Sequence, residues 1–302
     1  MLKVREEKFD LLYQRGVSRK NSIKFCNIDE TKKISIISDS MFKTMIYNEN
    51  RIKYAARLIS FFIDVSYEEL LKHLKLKKSD FNKEKEKEKS ERGDFVADFN
   101  GTSIGIEVNN NDSLETMERN MEYAHREYSK KVTRLNKEYS YTQIIQLNIN
   151  NFSFYGNDNI TDIYVLRNKG NIVMSDKIIF IQIYIPNLIK KWYDKGKEGL
   201  TEEEKFLLVL TESDIETSYD IGDGIKYMNE FIKDASGASR DDDLLESYDK
   251  EWALRDQGKR EGYEEGKKDT MIETAKKMKE DGMDYSLISK YTNISFDQIE
   301  KL

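Results

Sequence analysis

A single cysteine, Cys26, and a single proline, Pro186, occur in 302 residues, with only two histidines, His73 and His125. One thiol excludes an intramolecular disulfide framework and suits a reducing compartment. Two isolated histidines without metal-ligand spacing, and no cysteine cluster, point away from a zinc site and toward structural roles for both. No apolar run approaches the roughly 18 residues a membrane span needs, and IIFIQIYI at 178–185 reads as a buried strand. The amino terminus MLKVREEKFDLL is too charged for a signal peptide, so a cytoplasmic protein with no membrane partner is expected. A phosphate-cradling glycine loop and a nucleophile elbow are both missing. Bulk positive charge is missing too: the net charge is −6, so nucleic-acid binding would have to come from a local basic patch.

What is present is charge and aromatic bulk. Charged residues make up 35% of the chain, against a usual share of about 25%, while 14 Phe and 18 Tyr supply enough to bury. That describes a globular core under a charged helical surface, with room for one substantial domain and an appendage. Residues 1–30 read as a charged lead-in, 31–235 as a mixed α/β domain and 240–302 as a helical tail. Helical spacing recurs over 40–75, and a helix over 113–137 opens at Ser113 as its N-cap. Strands fall at 141–154, with alternating side chains, and at 177–185. Pro186 stops the latter, and NLIKKWYDKG begins a helix ending near Gly196. The run KEKEKEK at 83–89 has no apolar face and reads as a solvated loop or strand lead-in. This order of elements implies a sheet flanked by helices.

The most pointed feature is DFVADF-NG-TSIGIEV. Asn100-Gly101 signals a two-residue hairpin in which Phe99 opposes Thr102, Ala97 opposes Ile104, Phe95 opposes Ile106 and Asp94 opposes Glu107. Phe95, Ala97, Phe99, Ile104 and Ile106 then share an apolar face, and Asp94, Glu107 and Asn109 the other. Opposed like charges are destabilising, so the pair is either well solvated or bridged by a divalent cation. Asp98, beside the turn, reads as a surface residue, and Asp112 as part of the next helix cap.

In the tail, Gly258, Gly262 and Gly266 recur four residues apart in a charged helical run. Each interior glycine costs about 1 kcal/mol relative to alanine, which suggests close approach of another helix. The last residues suit two short helices with a turn near Asn293, either a small helix-turn-helix or a helical cap or oligomerisation element.

The segments ISDSMFKTMI, ERGDFVADFNGTSIGIEVNN and ERNMEYAHREYSKKV, together with the glycine-punctuated tail, resemble the bacterial recombination-promoting nucleases and transposases of the PD-(D/E)xK superfamily. The resemblance covers roughly 31–195 and 255–302. It implies a restriction-endonuclease-like α/β core, a mixed central sheet flanked by helices, with a helical C-terminal appendage. It carries Asp39, Phe42 and Lys43 on the first helix, Asp94 and Glu107 on the core strands, and Arg119 and Tyr123 on the succeeding helix. The implied activity is Mg²⁺-dependent hydrolysis of DNA phosphodiester bonds, with Mn²⁺ able to substitute, in a mobile-element or recombination setting. Asp94 and Glu107 would be metal ligands, the Val108 carbonyl a third, and Asp39 a ligand directly or through water. Arg119 and Tyr123 either contact DNA phosphate or hold the helix to the sheet. The superfamily's usual lysine, two residues after the second acid, is here Asn109, which has no charge to offer. Lys43, one turn after Asp39, is a candidate substitute. Two other classes stay open: a catalytically impaired member acting as a DNA-binding or interaction module, and an assembly protein that forms homo-oligomers through its tail.

Overall fold

Three helices carry the apolar spacing of 40–75 in the computed structural model, which describes residues 31–77, 95–110, 114–131, 133–135, 138–140, 142–153 and 156–302. They are α1 (Asp39–Met45), α2 (Ile52–Ser60) and α3 (Tyr67–His73). Met41, Phe42 and Met45, then Tyr54, Ala55, Leu58 and Ile59, recur at the intervals of one buried helix face. The lead-in 1–30, the run 83–89, Asp94, Asp112 and Ser113 lie outside the described residues.

Next come β1 (Leu74–Leu76), β2 (Phe95–Phe99) and β3 (Thr102–Asn109), paired antiparallel in turn. Asn100 and Gly101 both take positive φ, 48° and 92°, as the expected hairpin turn requires. The pairs Phe95–Ile106, Ala97–Ile104 and Phe99–Thr102 are those the turn predicts. Asp98 is half-buried rather than a plain surface residue, because its Oδ1 accepts the Gly101 N–H at 3.0 Å and closes the turn.

Helix α4 (Leu114–Lys131) stops six residues short of the expected end at 137. A small antiparallel ladder, β4 (Thr133–Leu135) with β5 (Glu138–Ser140), takes up those residues, starting at a β-branched threonine that favours strand over helix. Then follow β6 (Ile144–Asn150), β7 (Thr161–Arg167) and β8 (Val173–Tyr184). The main sheet has six strands in the order β1-β2-β3-β6-β8-β7, with β3, β6 and β8 parallel and the outer pairs antiparallel. The alternation read at 141–154 is chemical rather than a matter of exposure: every residue of β6 is buried, because the strand is central and covered on both faces.

The face bearing Ile104, Ile106, Val108, Ile145, Leu147, Ile149, Ile181 and Ile183 forms one core with the surrounding helices. These include α5 (Ile185–Lys195), which carries Pro186 in its first turn and is capped at its C-terminal end by Gly196, whose φ is 65°. Beyond it lie α6 (Glu202–Thr211), α7 (Ile215–Ile221) and α8 (Lys226–Ala238). The capping box of Thr201 with Glu204 sets the start of α6, and Glu204 also holds Lys191 at 2.7 Å.

The stretch from residue 31 is stitched along this layer. Lys33 N–H donates to the Ser213 carbonyl and Ile36 N–H to that of Leu210, both at 2.8 Å. Buried Lys33 turns its ammonium onto the Val209 and Glu212 carbonyls at the C-terminal end of α6, where a cation complements the helix dipole. Burial pulls its pKa down to about 8, against the opposing pull of Glu212.

Helix α9 (Asp242–Glu280) runs on from this layer, and the chain divides into two units at Tyr248 and Asp249. Leu244, Leu245 and Tyr248 join the first unit's core, which therefore extends past the boundary near 235–240 that composition suggested. In the second unit α10 (Tyr285–Thr292) and α11 (Phe296–Lys301) flank Asn293, whose φ of 57° makes the expected turn. Ala275, Ile288, Ile294 and Ile299 form its small core. Nothing lies within 4 Å of a Cβ built at Gly258, Gly262 or Gly266, so among the described residues no helix makes the close approach their spacing suggested. No helix among the described residues is long and apolar enough to cross a membrane.

Asp214 caps α7, its Oδ1 accepting the Thr217 N–H at 2.8 Å, and pairs with Lys32. The Lys32 ammonium and then the Thr217 N–H hold its carboxyl at about 2, below the usual value of 3.8. The stabilisation is therefore complete above about pH 4 and lost as pH falls through 2. Asp214→Ala should cost about 1–2 kcal/mol in urea unfolding at pH 7. The gap from wild type should close toward pH 2.

Candidate active site

The second face of the sheet carries a row of amides with the Glu107 carboxylate on β3 and that of Asp162 on β7. Strand alternation that sends Ile104, Ile106 and Val108 into the apolar core sends Ser103, Gly105, Glu107 and Asn109 the other way. Parallel register aligns Gly105 with Gln146, Glu107 with Asn148 and Asn109 with Asn150 on β6. On β8, Gln182 lies level with Asn148, and Tyr184 with Asn150. Helix α4 packs over this face against β3, β6 and β8. It presents Thr116, Asn120 and Ala124 inward at four-residue spacing, small or polar groups suited to a polar floor.

The layer is buried and bonded through its amides. Glu107 is 4% exposed and Asn109 2%. Asn109 Nδ2 donates to Asn150 Oδ1 at 2.9 Å, and Asn150 Nδ2 donates in turn to Gln182 Oε1 at 2.9 Å. Gln146 Nε2 donates to Asn148 Oδ1 at 3.3 Å. The glycine at 105 makes room for that glutamine, since a Cβ there would lie 2.2 Å from Gln146 Oε1. At the start of β3, Lys77 Nζ donates to Ser103 Oγ at 2.8 Å and to Glu127 Oε2 of α4 at 3.0 Å, pinning helix to sheet. Among the described residues the Nδ2 of Asn148 and both amide atoms of Asn120 have no hydrogen-bond partner.

The expected site residues fall into three groups. Glu107, Val108 and Asn109 end β3 together, with the two polar side chains buried on one face and Val108 in the core opposite. Arg119 lies on α4 with its Nη2 3.5 Å from Asn109 Oδ1, so this helix brings a guanidinium to the position that lacks a lysine. Tyr123 is half-buried one turn further along.

Asp39 and Lys43 sit on α1, whose buried side chains belong to the apolar layer; Asp39 is half-buried and Lys43 exposed. The last described pair of the hairpin is Phe95 with Ile106, one step short of Asp94 and Glu107. Among the described residues no group of three or more His, Cys, Asp or Glu is placed to hold a metal ion. His125 Nδ1 meets the Met121 carbonyl of its own helix at 2.7 Å, a structural contact.

The row Gln146, Asn148, Asn150 and Gln182 escaped the sequence reading. Its signal was present as amides at every second position of QLNIN, which only strand pairing turns into a continuous floor beside Glu107.

A mixed sheet whose central parallel strands carry a buried acid and amides beneath a crossing helix, with further helices on the opposite face, is a restriction-endonuclease-like α/β fold with C-terminal helices. The family model of the PD-(D/E)XK nuclease family transposases matches residues 36–260, and the chain belongs to that family. It matches no curated protein and no solved structure.

Asn150 joins three strands of the floor, so Asn150→Ala should strand the Asn109 and Gln182 amides in a buried layer. A buried polar group without its partner costs about 1–3 kcal/mol, and thermal unfolding should show a loss of about 2–4 kcal/mol. An unchanged melting curve would mean that the floor is hydrated or rearranges freely.

Proposed function

We propose that the chain is a Mg²⁺-dependent DNA endonuclease, hydrolysing phosphodiester bonds in a mobile-element or recombination context within the cytoplasm. The observation that carries this reading is the burial of Glu107 and Asn109 side by side at the end of β3, with exposed Arg119 of α4 placing its Nη2 3.5 Å from Asn109 Oδ1, in a chain of this nuclease family. The donors would suit a hard divalent ion: the Glu107 carboxylate and Val108 carbonyl from β3 and Asp39 from α1, with Asp94, which lies outside the described residues, as the second acid of the sequence motif. When bound, such an ion activates water and neutralises phosphate charge.

The protein's own groups supply orientation and charge. Asn148, level with Glu107, has an amide N–H to offer an oxygen of substrate or water. Arg119 provides a fixed cation for the non-bridging phosphate oxygens, the task a lysine at 109 would perform, and a guanidinium stays charged at any working pH. Asn109 then acts by positioning, its Oδ1 receiving Arg119 and its Nδ2 tied to the floor. Tyr123 lies half-buried one turn further along the same helix, a second candidate for phosphate contact.

The second reading, a member that binds DNA without cutting it, draws on the same Asn109, since a neutral amide cannot act as the cation itself.

Nicking of supercoiled plasmid separates these readings. Wild type with Mg²⁺ should nick, and Asp94→Ala and Glu107→Ala should not. Arg119→Ala should slow nicking about 10²–10³-fold, the usual cost of one transition-state donor, with partial recovery in Arg119→Lys. Lys43→Ala should nick at nearly the wild-type rate. A dead Lys43→Ala beside an active Arg119→Ala would transfer the role to Lys43. A folded wild type that binds DNA but never nicks it, with Mg²⁺ or Mn²⁺, would leave only the binding reading.

A further inference from the structure

Strand β8 outruns its neighbour. It pairs with β6 only from Ile178 to Tyr184, while its first five residues, from Val173, continue beyond the sheet with β7 alone. The result is a two-stranded ribbon whose turn is tightly specified. Asn168 Oδ1 accepts the Gly170 and Ile172 N–H groups at 2.9 Å each, Asn168 N–H donates to the Ile172 carbonyl at 3.0 Å, and Asn171 takes a φ of 62°.

This ribbon is dressed for a partner. Ile163, Leu166, Ile172 and Met174 are 64%, 56%, 69% and 80% exposed. Arg167, Lys169 and Lys177 are also exposed, and among the described residues no carboxylate pairs with them. Two of the three lysines of the next helix behave differently: Lys190 and Lys191 are paired with Asp158 and Glu204, and nearby Lys197 with Asp220. Over 166–177 three basic residues stand against Asp176, in a chain whose net charge is −6. Unpaired cations on a pre-ordered turn are a local basic patch that the whole-chain charge conceals.

We infer that the β7–β8 ribbon is a duplex-DNA arm, laying Arg167, Lys169 and Lys177 against phosphates while its apolar side chains enter a groove. The major groove of B-DNA admits a two-stranded ribbon, and phosphate contacts by Lys and Arg supply sequence-independent affinity. The inference rests on the nuclease reading and adds a geometric consequence. Gln182 lies in the same register row as Glu107, and Val173 is nine residues back along the strand, about 30 Å at 3.3 Å per residue. A duplex held at both places must extend about nine base pairs to one side of the cleaved bond, at about 3.4 Å per pair.

Fluorescence anisotropy with the full chain, Ca²⁺ replacing Mg²⁺, tests the arm on duplexes of 30 and 8 base pairs, the shorter unable to reach from the site to the arm. The Arg167→Ala/Lys169→Ala/Lys177→Ala variant should bind the longer duplex at least tenfold more weakly, and its log K against log salt slope should be shallower by about 2–3. Both proteins should bind the shorter duplex alike and melt at the same temperature. Lys169→Glu alone, at the ordered turn, should reproduce a smaller loss. Wild-type affinity and slope in the triple variant would overturn the arm while leaving the nuclease reading standing. A wild type that binds neither duplex would remove both. If Ile172→Ser/Met174→Ser changed the elution volume on a column and left DNA affinity untouched, the ribbon would be a surface between copies of this chain, and the inference would be wrong.

Discussion

Everything in this molecule turns on a sheet with two unlike faces. Strand alternation forces successive side chains to opposite sides, so β3 commits Ile104, Ile106 and Val108 to one layer and Glu107 and Asn109 to the other. The apolar layer drives folding and is sealed by helices before and after the sheet in sequence. The polar layer has to be sealed without that driving force. Helix α4 does so with small and polar inward residues, an amide network beneath and the Lys77–Glu127 pair at one end. A site closed in this way is buried, and charges within a buried site interact strongly.

On the proposed nuclease reading, the same arrangement would supply a charge in place of the lysine expected at position 109. A lysine there would have to bury its ammonium on the strand itself. Asn109 instead bonds into the floor and receives Arg119 from the covering helix, so the charge comes from above rather than from within the sheet. The helix that seals the polar layer is thereby also the helix that equips it. Residues that look like packing, such as Thr116, Asn120 and Ala124, set where the guanidinium falls.

Much of this was legible in the chain, in proportion to how local the cause was. The hairpin register followed from Asn100-Gly101, because a two-residue turn with two positive φ values fixes which residues face each other. The end of β8 and the start of α5 followed from Pro186, and the apolar face of β3 from its alternation. What escaped needed partners distant in sequence. The amide floor exists only once β3, β6 and β8 are side by side, and nothing within QLNIN says that Asn150 will join Asn109 to Gln182. Strand β7 was missed because an edge strand exposed on both faces carries no apolar period to read. The end of α4 and the extension of the first unit to Tyr248 were missed for related reasons: charged helices give little warning of where packing begins or stops.

The central claim is that the buried carboxylate of β3 holds a divalent ion. Calorimetric titration of Mn²⁺ into the full chain tests it without depending on turnover. One site should be seen in wild type and lost in Glu107→Gln, a variant of nearly the same shape that removes the charge and should keep the fold. Equal Mn²⁺ affinity in the two proteins would contradict the account, because Glu107 would then belong to the floor and not to a metal.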